Sequence, residues 1–250
     1  MNNVHTTNST TNDKHIPQQA QRIQTSLTNG IERKVLVWLA DRQPRWMTSD
    51  MLTVIGIIGA FIVGLGFVLT NLNIQWLWLS CAGLIINWYG DSLDGTLARV
   101  RNCQRPLYGY YLDHTVDCIN EAFMFIGAGL SPLVHFNLSM LAFILYLFMT
   151  INVSINAHLK SEFRLTYVKL GPTEFRLLIL IACILITIFP TLAEYSYQTT
   201  LCSLSISFTT LDIIAIAIII LLTFIYLFSI ISDARKYSKI DPPKKYNPRG

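Results

Sequence analysis

The chain has 250 residues, 52% of them hydrophobic and only 14% charged, with a mean hydropathy of +0.43 and a formal net charge of +4. That balance excludes an average soluble domain. A charge so modest and so clustered points to membrane topology and anionic-lipid contact, with no nucleic acid as partner. Five cysteines (Cys81, Cys103, Cys118, Cys183 and Cys202) show no paired spacing, so a disulfide-built fold is excluded as well.

In chain order, residues 1–25 are rich in Thr, Asn and Gln, have no apolar period and are expected to be disordered. They lack the apolar core of a signal peptide, which leaves membrane insertion to later segments. Residues 26–48 are predicted to hold an amphipathic juxtamembrane helix on the inner membrane surface. Ile31, Val35, Trp38 and Leu39 recur there at helical spacing around Glu32, Arg33 and Lys34, and Pro44 ends the pattern.

Six apolar blocks long enough to cross a bilayer follow, over 49–70, 74–90, 108–130, 138–157, 173–193 and 211–232. The expected fold class is therefore all-α: a polytopic membrane protein whose six transmembrane helices occupy 49–235, preceded by the interfacial helix and followed by a basic tail, 236–250. Gly56, Gly59 and Ala60 give the first span a small-residue face of the kind that lets helices, including those of a second copy, approach closely. Trp76, Trp78 and Trp88 read as interface anchors and packing residues. Cys81, Cys118 and Cys183 read as small packing residues.

All 19 Lys and Arg residues fall on one side of this arrangement. They lie before the first span, in the second connection (Arg99, Arg101, Arg105), in the fourth (Lys160, Arg164, Lys169, with Arg176 just inside the fifth span) and in the tail. The connections 71–73, 131–137 and 194–210 hold none. By the positive-inside rule both termini are cytoplasmic.

Four aspartates interrupt the apolar pattern: Asp91 and Asp94 after the second span, Asp113 and Asp117 within the third. Spacings of i,i+3 and i,i+4 put each pair on one helix face. An antiparallel hairpin through the short basic loop would converge all four, and unneutralised carboxylates so close would repel one another. With no Cys or His on those faces, the set describes an oxygen-only site for one or two hard divalent cations, Mg2+ or Mn2+, able to hold a pyrophosphate. Asp91, Asp94 and Asp113 are the expected ligands, with Asp117 sharing an ion. Gly95 and Ala98 lie on the face of Asp91 and Asp94, where small side chains would let a nucleotide approach the backbone. Arg99 can offer planar donors to phosphate oxygens, and Gly109 is the matching small residue on the third span.

The string D-x2-D-G-x2-A-R, then Gly109, Asp113 and Asp117, fixes eight positions in 27 residues. It matches, position for position, the signature of the CDP-alcohol phosphotransferases, and the chain is identified as resembling that family. The resemblance implies a membrane enzyme of phospholipid synthesis. An alcohol hydroxyl attacks the phosphorus of a CDP-linked group and CMP leaves; one partner, CDP-diacylglycerol or the diacylglycerol accepting from a CDP-alcohol, is a lipid. It further implies that Asp117 takes the acceptor's proton and that Gly95, Ala98, Arg99 and Gly109 surround the CDP moiety. Homodimers are common in the family. The segment Asp113-His114-Thr115-Val116-Asp117 looks somewhat like the D-H-x-x-D of choline and ethanolamine phosphotransferases, with Thr173-Glu174 as a second echo, whereas the short chain looks more like a bacterial member of the inner membrane.

Outside the motif, Asn152 and Asn156 form an i,i+4 pair near His158, either lining the acceptor pocket or tying helices together. Pro172 suits a helix start, and Glu174 and Arg176 at membrane depth call for partners, either a substrate or an internal ion pair. The angular position of His114 sets it apart from Asp113 and Asp117, as a packing residue. Two other functions compete: a transporter using the aspartates as a cation or proton relay, and a non-catalytic membrane scaffold.

Overall fold

The computed structural model describes residues 21–23, 29–160, 162–164, 172–194, 196–201 and 204–243, and of His158 and Glu174 it describes the backbone alone. Eight helices make up most of it: α1 (Asn29–Asp41), α2 (Ser49–Leu69), α3 (Leu77–Val100, entered through a 3-10 turn at Ile74–Trp76), α4 (Pro106–Gly129), α5 (Phe136–Lys160), α6 (Pro172–Ile188), the single turn α7 (Thr191–Glu194) and α8 (Thr210–Ile240). Two small strand pairs accompany them. β1 (Gln21–Ile23) runs parallel to β2 (Glu162–Arg164), and β3 (Ser196–Leu201) pairs antiparallel with β4 (Leu204–Thr209) in the connection before α8. Apart from β1, the segment expected to be disordered lies outside the described residues.

The chain is a multi-pass all-α membrane protein. Among the described residues, three helices are long and apolar enough to cross a bilayer, over Ser49–Leu69, Phe136–Asn156 and Leu211–Ile240, and Phe175–Ile188 is a shorter apolar helix. The second and third expected spans, α3 and α4, are helices too, but they carry the aspartates and are less apolar. Several boundaries differ from expectation; α3, for one, runs on to Val100 rather than ending at 90. The fifth span stops at Ile188 rather than 193, because Pro190 has no N–H to continue the ladder and disfavours helix in Phe189 before it. The tail expected from 236 begins as helix, since α8 runs on to Ile240.

α2 is the hub. It packs against α3 and α4; α3 in turn meets α1 and α6, α4 meets α5, and α5 meets α8. Glycine permits the closest of these approaches. A Cβ on Gly59 would stand 2.3 Å from the backbone nitrogen of Asn87, one on Gly90 2.3 Å from that of Gly56, and one on Gly127 2.3 Å from the Cα of Gly64. Backbones this near gain dispersion contacts along their length, and polar side chains can then reach the neighbouring main chain. Asn87 Nδ2 donates to Gly56 O at 2.9 Å and Ser80 Oγ to Val63 O at 3.0 Å. Gly56 and Gly59 of the small-residue face are thus occupied within the chain by α3, and Ala60 is fully buried, so that face is not left for a second copy.

α1 packs Leu36 and Ala40 into a cluster with Leu52, Leu93 and Leu97. Val35 and Trp38, expected on its membrane face, do point outward, so α1 is apolar on two sides. The turn after it is held by Arg101, which donates to Gln43 O at 3.1 Å and Pro44 O at 2.9 Å. α3 ends in a Schellman turn: Asn102 adopts φ 52° and Cys103 N donates to Ala98 O at 3.0 Å. Pro106 then opens α4 at a position that needs no N–H. This tight reversal returns the chain so that α4 leaves from the end at which α3 arrived.

At the opposite end, Thr209 and Asp212 form a capping box at the start of α8. Asp212 is fully buried; it accepts from the backbone N–H groups of His135 and Thr209, each at 2.8 Å, and His135 Nδ1 lies 2.5 Å from its second oxygen.

Candidate active site

The end where α3 and α4 meet their connecting loop gathers the motif. One carboxylate oxygen each from Asp91, Asp113 and Asp117 lies within 4.8 Å of the other two, a spacing that a single cation could bridge. All three donors are hard oxygens, so the group suits Mg2+, Mn2+ or Ca2+ better than a thiolate- or imidazole-seeking metal. Helical geometry accounts for the convergence. Asp113 and Asp117 stand one turn apart on one face of α4, and Asp91 reaches them from α3 across the crevice that α2 holds open.

Asp94 belongs to the same helix face but is held differently. Its Oδ2 accepts from Thr53 Oγ1 of α2 at 2.6 Å, its Oδ1 from the N–H of Gly95, and its backbone carbonyl from Ser49 Oγ at 2.7 Å. It lies beside the triad, with its carboxylate oriented by α2. Neither Thr53 nor Ser49 carried a sequence signal, because a single hydroxyl in an apolar helix looks like any other.

Around the carboxylates the expected nucleotide residues leave room. A Cβ on Gly109 would meet nothing within 4 Å, and one on Gly95 would meet only the Arg99 guanidinium at 3.5 Å. Arg99 lies back along α3, donating to Thr96 Oγ1 at 2.9 Å, and Ala98 is on the same stretch of helix. His114 stacks on Tyr110 with ring centroids 4.1 Å apart, and its Nδ1 faces the Tyr110 carbonyl at 3.0 Å. It packs beside the carboxylate group rather than within it, and its Nδ1 stands 3.8 Å from Asp113 Oδ2.

Arg176, from the first turns of α6, enters the site and donates through Nη2 to Asp91 Oδ2 at 2.6 Å. Arg176 is thereby paired with an aspartate of the motif. Asn152 and Asn156 lie in the contact of α5 with α8. Asn156 Nδ2 donates to Asp233 Oδ2 at 2.8 Å, and Tyr237 OH donates to Asn156 Oδ1 at 2.8 Å. Asp233 and Tyr237, near the end of α8, are partners that the sequence did not point to.

One further residue was missed although its signal was present. Glu121 follows Asp117 by one turn, deeper in α4, and an ionisable residue inside an apolar helix is a functional candidate by default. Among the described residues its buried Oε2 has no hydrogen-bond partner, nor do Oδ1 of Asn87 and both polar atoms of Asn120, all one to two turns below the aspartates. Buried polar atoms are ordinarily paired, so these residues form a polar patch beneath the carboxylates in an otherwise apolar interior.

Two comparisons bear on this geometry. Residues 46–231 match the CDP-alcohol phosphatidyltransferase family. Among individual proteins, cholinephosphotransferase 1 of Mus musculus is 34% identical over 100 residues, covering 38% of this chain and 25% of its own length. The Bos taurus and Homo sapiens proteins of the same name are each 32% identical over 100 residues, covering 38% of this chain and 24% of theirs. The chain thus spans about a quarter of the length of the curated relatives it matches.

Proposed function

Since the chain belongs to the CDP-alcohol phosphatidyltransferase family, we propose that it transfers a substituted phosphate group from a CDP-linked donor to an alcohol hydroxyl and releases CMP, as a step of phospholipid synthesis. The observation that carries this reading is the triad of Asp91, Asp113 and Asp117 oxygens within 4.8 Å, set beside open space at Gly109. The acceptor oxygen forms a new bond to phosphorus, the P–O–P bond breaks, and the electron pair leaves on CMP. A divalent cation held by the triad, with Asp94 as the fourth ligand, would neutralise the charge that gathers on the leaving phosphate. Asp117 takes the acceptor's proton. Arg99 and the small residues Gly95, Ala98 and Gly109 receive the nucleotide, Arg99 by turning its guanidinium from Thr96 to the phosphates.

The clustering of all 19 basic residues at the motif side supports an orientation with both termini and the site cytoplasmic, where nucleotide substrates are available. The relatives' names make CDP-choline with diacylglycerol one donor–acceptor pair to try, beside CDP-ethanolamine with diacylglycerol and CDP-diacylglycerol with a panel of alcohols.

The test is CMP formation by the purified, detergent-solubilised chain with each pair in Mg2+ or Mn2+, then after chelation with EDTA. Metal-dependent CMP release is expected with one pair and is restored when the ion is added back. Release that persists in EDTA would remove the metal from the mechanism. No release from any pair, together with no nucleotide binding, would remove the reaction itself.

A further inference from the structure

Glu32 stands in the first turn of α1, ahead of the stretch 46–231 that carries the family match. Its Oε1 accepts two hydrogen bonds from two different helices: Trp88 Nε1 of α3 at 3.1 Å and Thr173 Oγ1 of α6 at 2.8 Å. A carboxylate oxygen has the lone pairs for both, and bonds to an ionised acceptor are stronger than neutral ones.

The same two helices are joined a second time inside the site, where Arg176 Nη2 of α6 donates to Asp91 Oδ2 of α3 at 2.6 Å. Trp88 precedes Asp91 by three residues and Thr173 precedes Arg176 by three, a rise of about 4.5 Å on each helix. α3 ends where α6 begins, so Trp88 lies deeper than Asp91 while Thr173 lies shallower than Arg176. The two ties therefore cross, and crossed ties oppose sliding of α6 along α3 in either sense.

We propose that Glu32 is a positioning residue: from the surface helix α1 it fixes the register of α6 against α3 and so sets the Arg176 guanidinium on Asp91. Through that contact, a helix outside the family's matched stretch governs how the triad meets a cation. The side chain suits the task, since aspartate would fall a methylene short of spanning both donors and glutamine would keep a carbonyl acceptor in place.

The test measures Mn2+ affinity of the full chain in detergent by electron paramagnetic resonance, a readout independent of the proposed reaction, with CMP release recorded beside it. Arg176 draws on the same Asp91 carboxylate that a cation in the triad would use, so Arg176→Gln is expected to tighten Mn2+ binding about tenfold, within the range that partners of metal ligands command. Glu32→Ala should tighten it in the same direction by several-fold. The double variant should bind no tighter than Arg176→Gln alone, and Glu32→Gln should stay close to wild type. If Glu32→Ala is poorly folded, Thr173→Val and Trp88→Phe each cut one tie and should show half-way shifts of the same sign. An unchanged Mn2+ affinity in Glu32→Ala, or an effect that adds in full to that of Arg176→Gln, overturns the proposal. Coupled Mn2+ shifts without CMP release from wild type would sustain the role of Glu32 and refute the reaction proposed above, on which only the CMP measurement rests.

Discussion

At the residue scale, the chemistry is concentrated in oxygen atoms a few ångströms apart. Asp113→Asn or Asp117→Asn removes one carboxylate charge from the triad while keeping the side-chain shape. Each is expected to lower CMP release by at least about a hundredfold, the scale of losing a group that meets developing charge, with an unchanged elution profile in size-exclusion chromatography. Full activity in either variant refutes the mechanism. Asp94 is tuned indirectly. Thr53→Val deletes the 2.6 Å hydrogen bond to its Oδ2 but leaves the volume in place. Groups that orient a metal ligand are worth about tenfold or more in metal affinity, so Mn2+ binding to Thr53→Val should weaken by about that factor. Asp91, Asp94, Asp113 and Asp117 were all legible in the sequence, since carboxylates in apolar helices advertise themselves. Thr53 and Ser49 were not, because their significance comes from which helix happens to lie opposite.

At the element scale, glycine decides which helices can be neighbours. Gly59→Ala would push a methyl to 2.3 Å from the Asn87 backbone nitrogen, and neither backbone can yield without separating α2 from α3. Overpacking of this kind costs about 1–3 kcal/mol, so the thermal unfolding midpoint in detergent should fall clearly. Gly109→Ala is the contrasting case: nothing stands within 4 Å of the added methyl, so stability should hold while affinity for CMP drops, as measured by calorimetry. Retained nucleotide affinity in that variant would show that the open space at Gly109 is not where the nucleotide lies. At the far end of the molecule, Asp212→Ala leaves the His135 and Thr209 donors without the fully buried carboxylate that accepts from them. A loss of about 1–3 kcal/mol is expected from each donor so stranded, read as a lower unfolding midpoint with metal affinity intact. The helix pattern showed that these segments are helices, yet the site-facing side of α1 and the early stop of α6 emerged only from packing and from Pro190.

At the scale of the whole molecule, α2 is the most deeply packed of the three long apolar helices yet keeps one exposed face, while α5 and α8 expose long apolar faces; Phe224 and Phe228 are 68% and 66% exposed. Such faces are stable only against lipid or a protein partner, which agrees with a multi-pass membrane protein. The orientation can be tested with a native thiol. Cys103 is free and exposed in the loop between α3 and α4, whereas Cys81 and Cys183 are free and buried. A membrane-impermeant maleimide should therefore label Cys103 in inverted vesicles and leave it unlabelled in right-side-out ones, with Cys103→Ser as the blank. Labelling of Cys103 in right-side-out vesicles would place the site on the outer face and contradict the charge rule.

The amino-acid sequence by itself determined the class of molecule and singled out the aspartates that the fold gathers at one end. Both follow from one-dimensional facts: apolar runs of bilayer length, charge on alternate connections, and aspartates at helical spacing. The tertiary structure decided what those facts leave open. It drew Asp91, Asp113 and Asp117 together and set Asp94 against Thr53. It also brought Arg176 and Glu32 in from distant parts of the chain. The cause is that a hydrogen bond or ion pair depends on distance between atoms, and distance between helices is set by which side chains are small enough to let them meet.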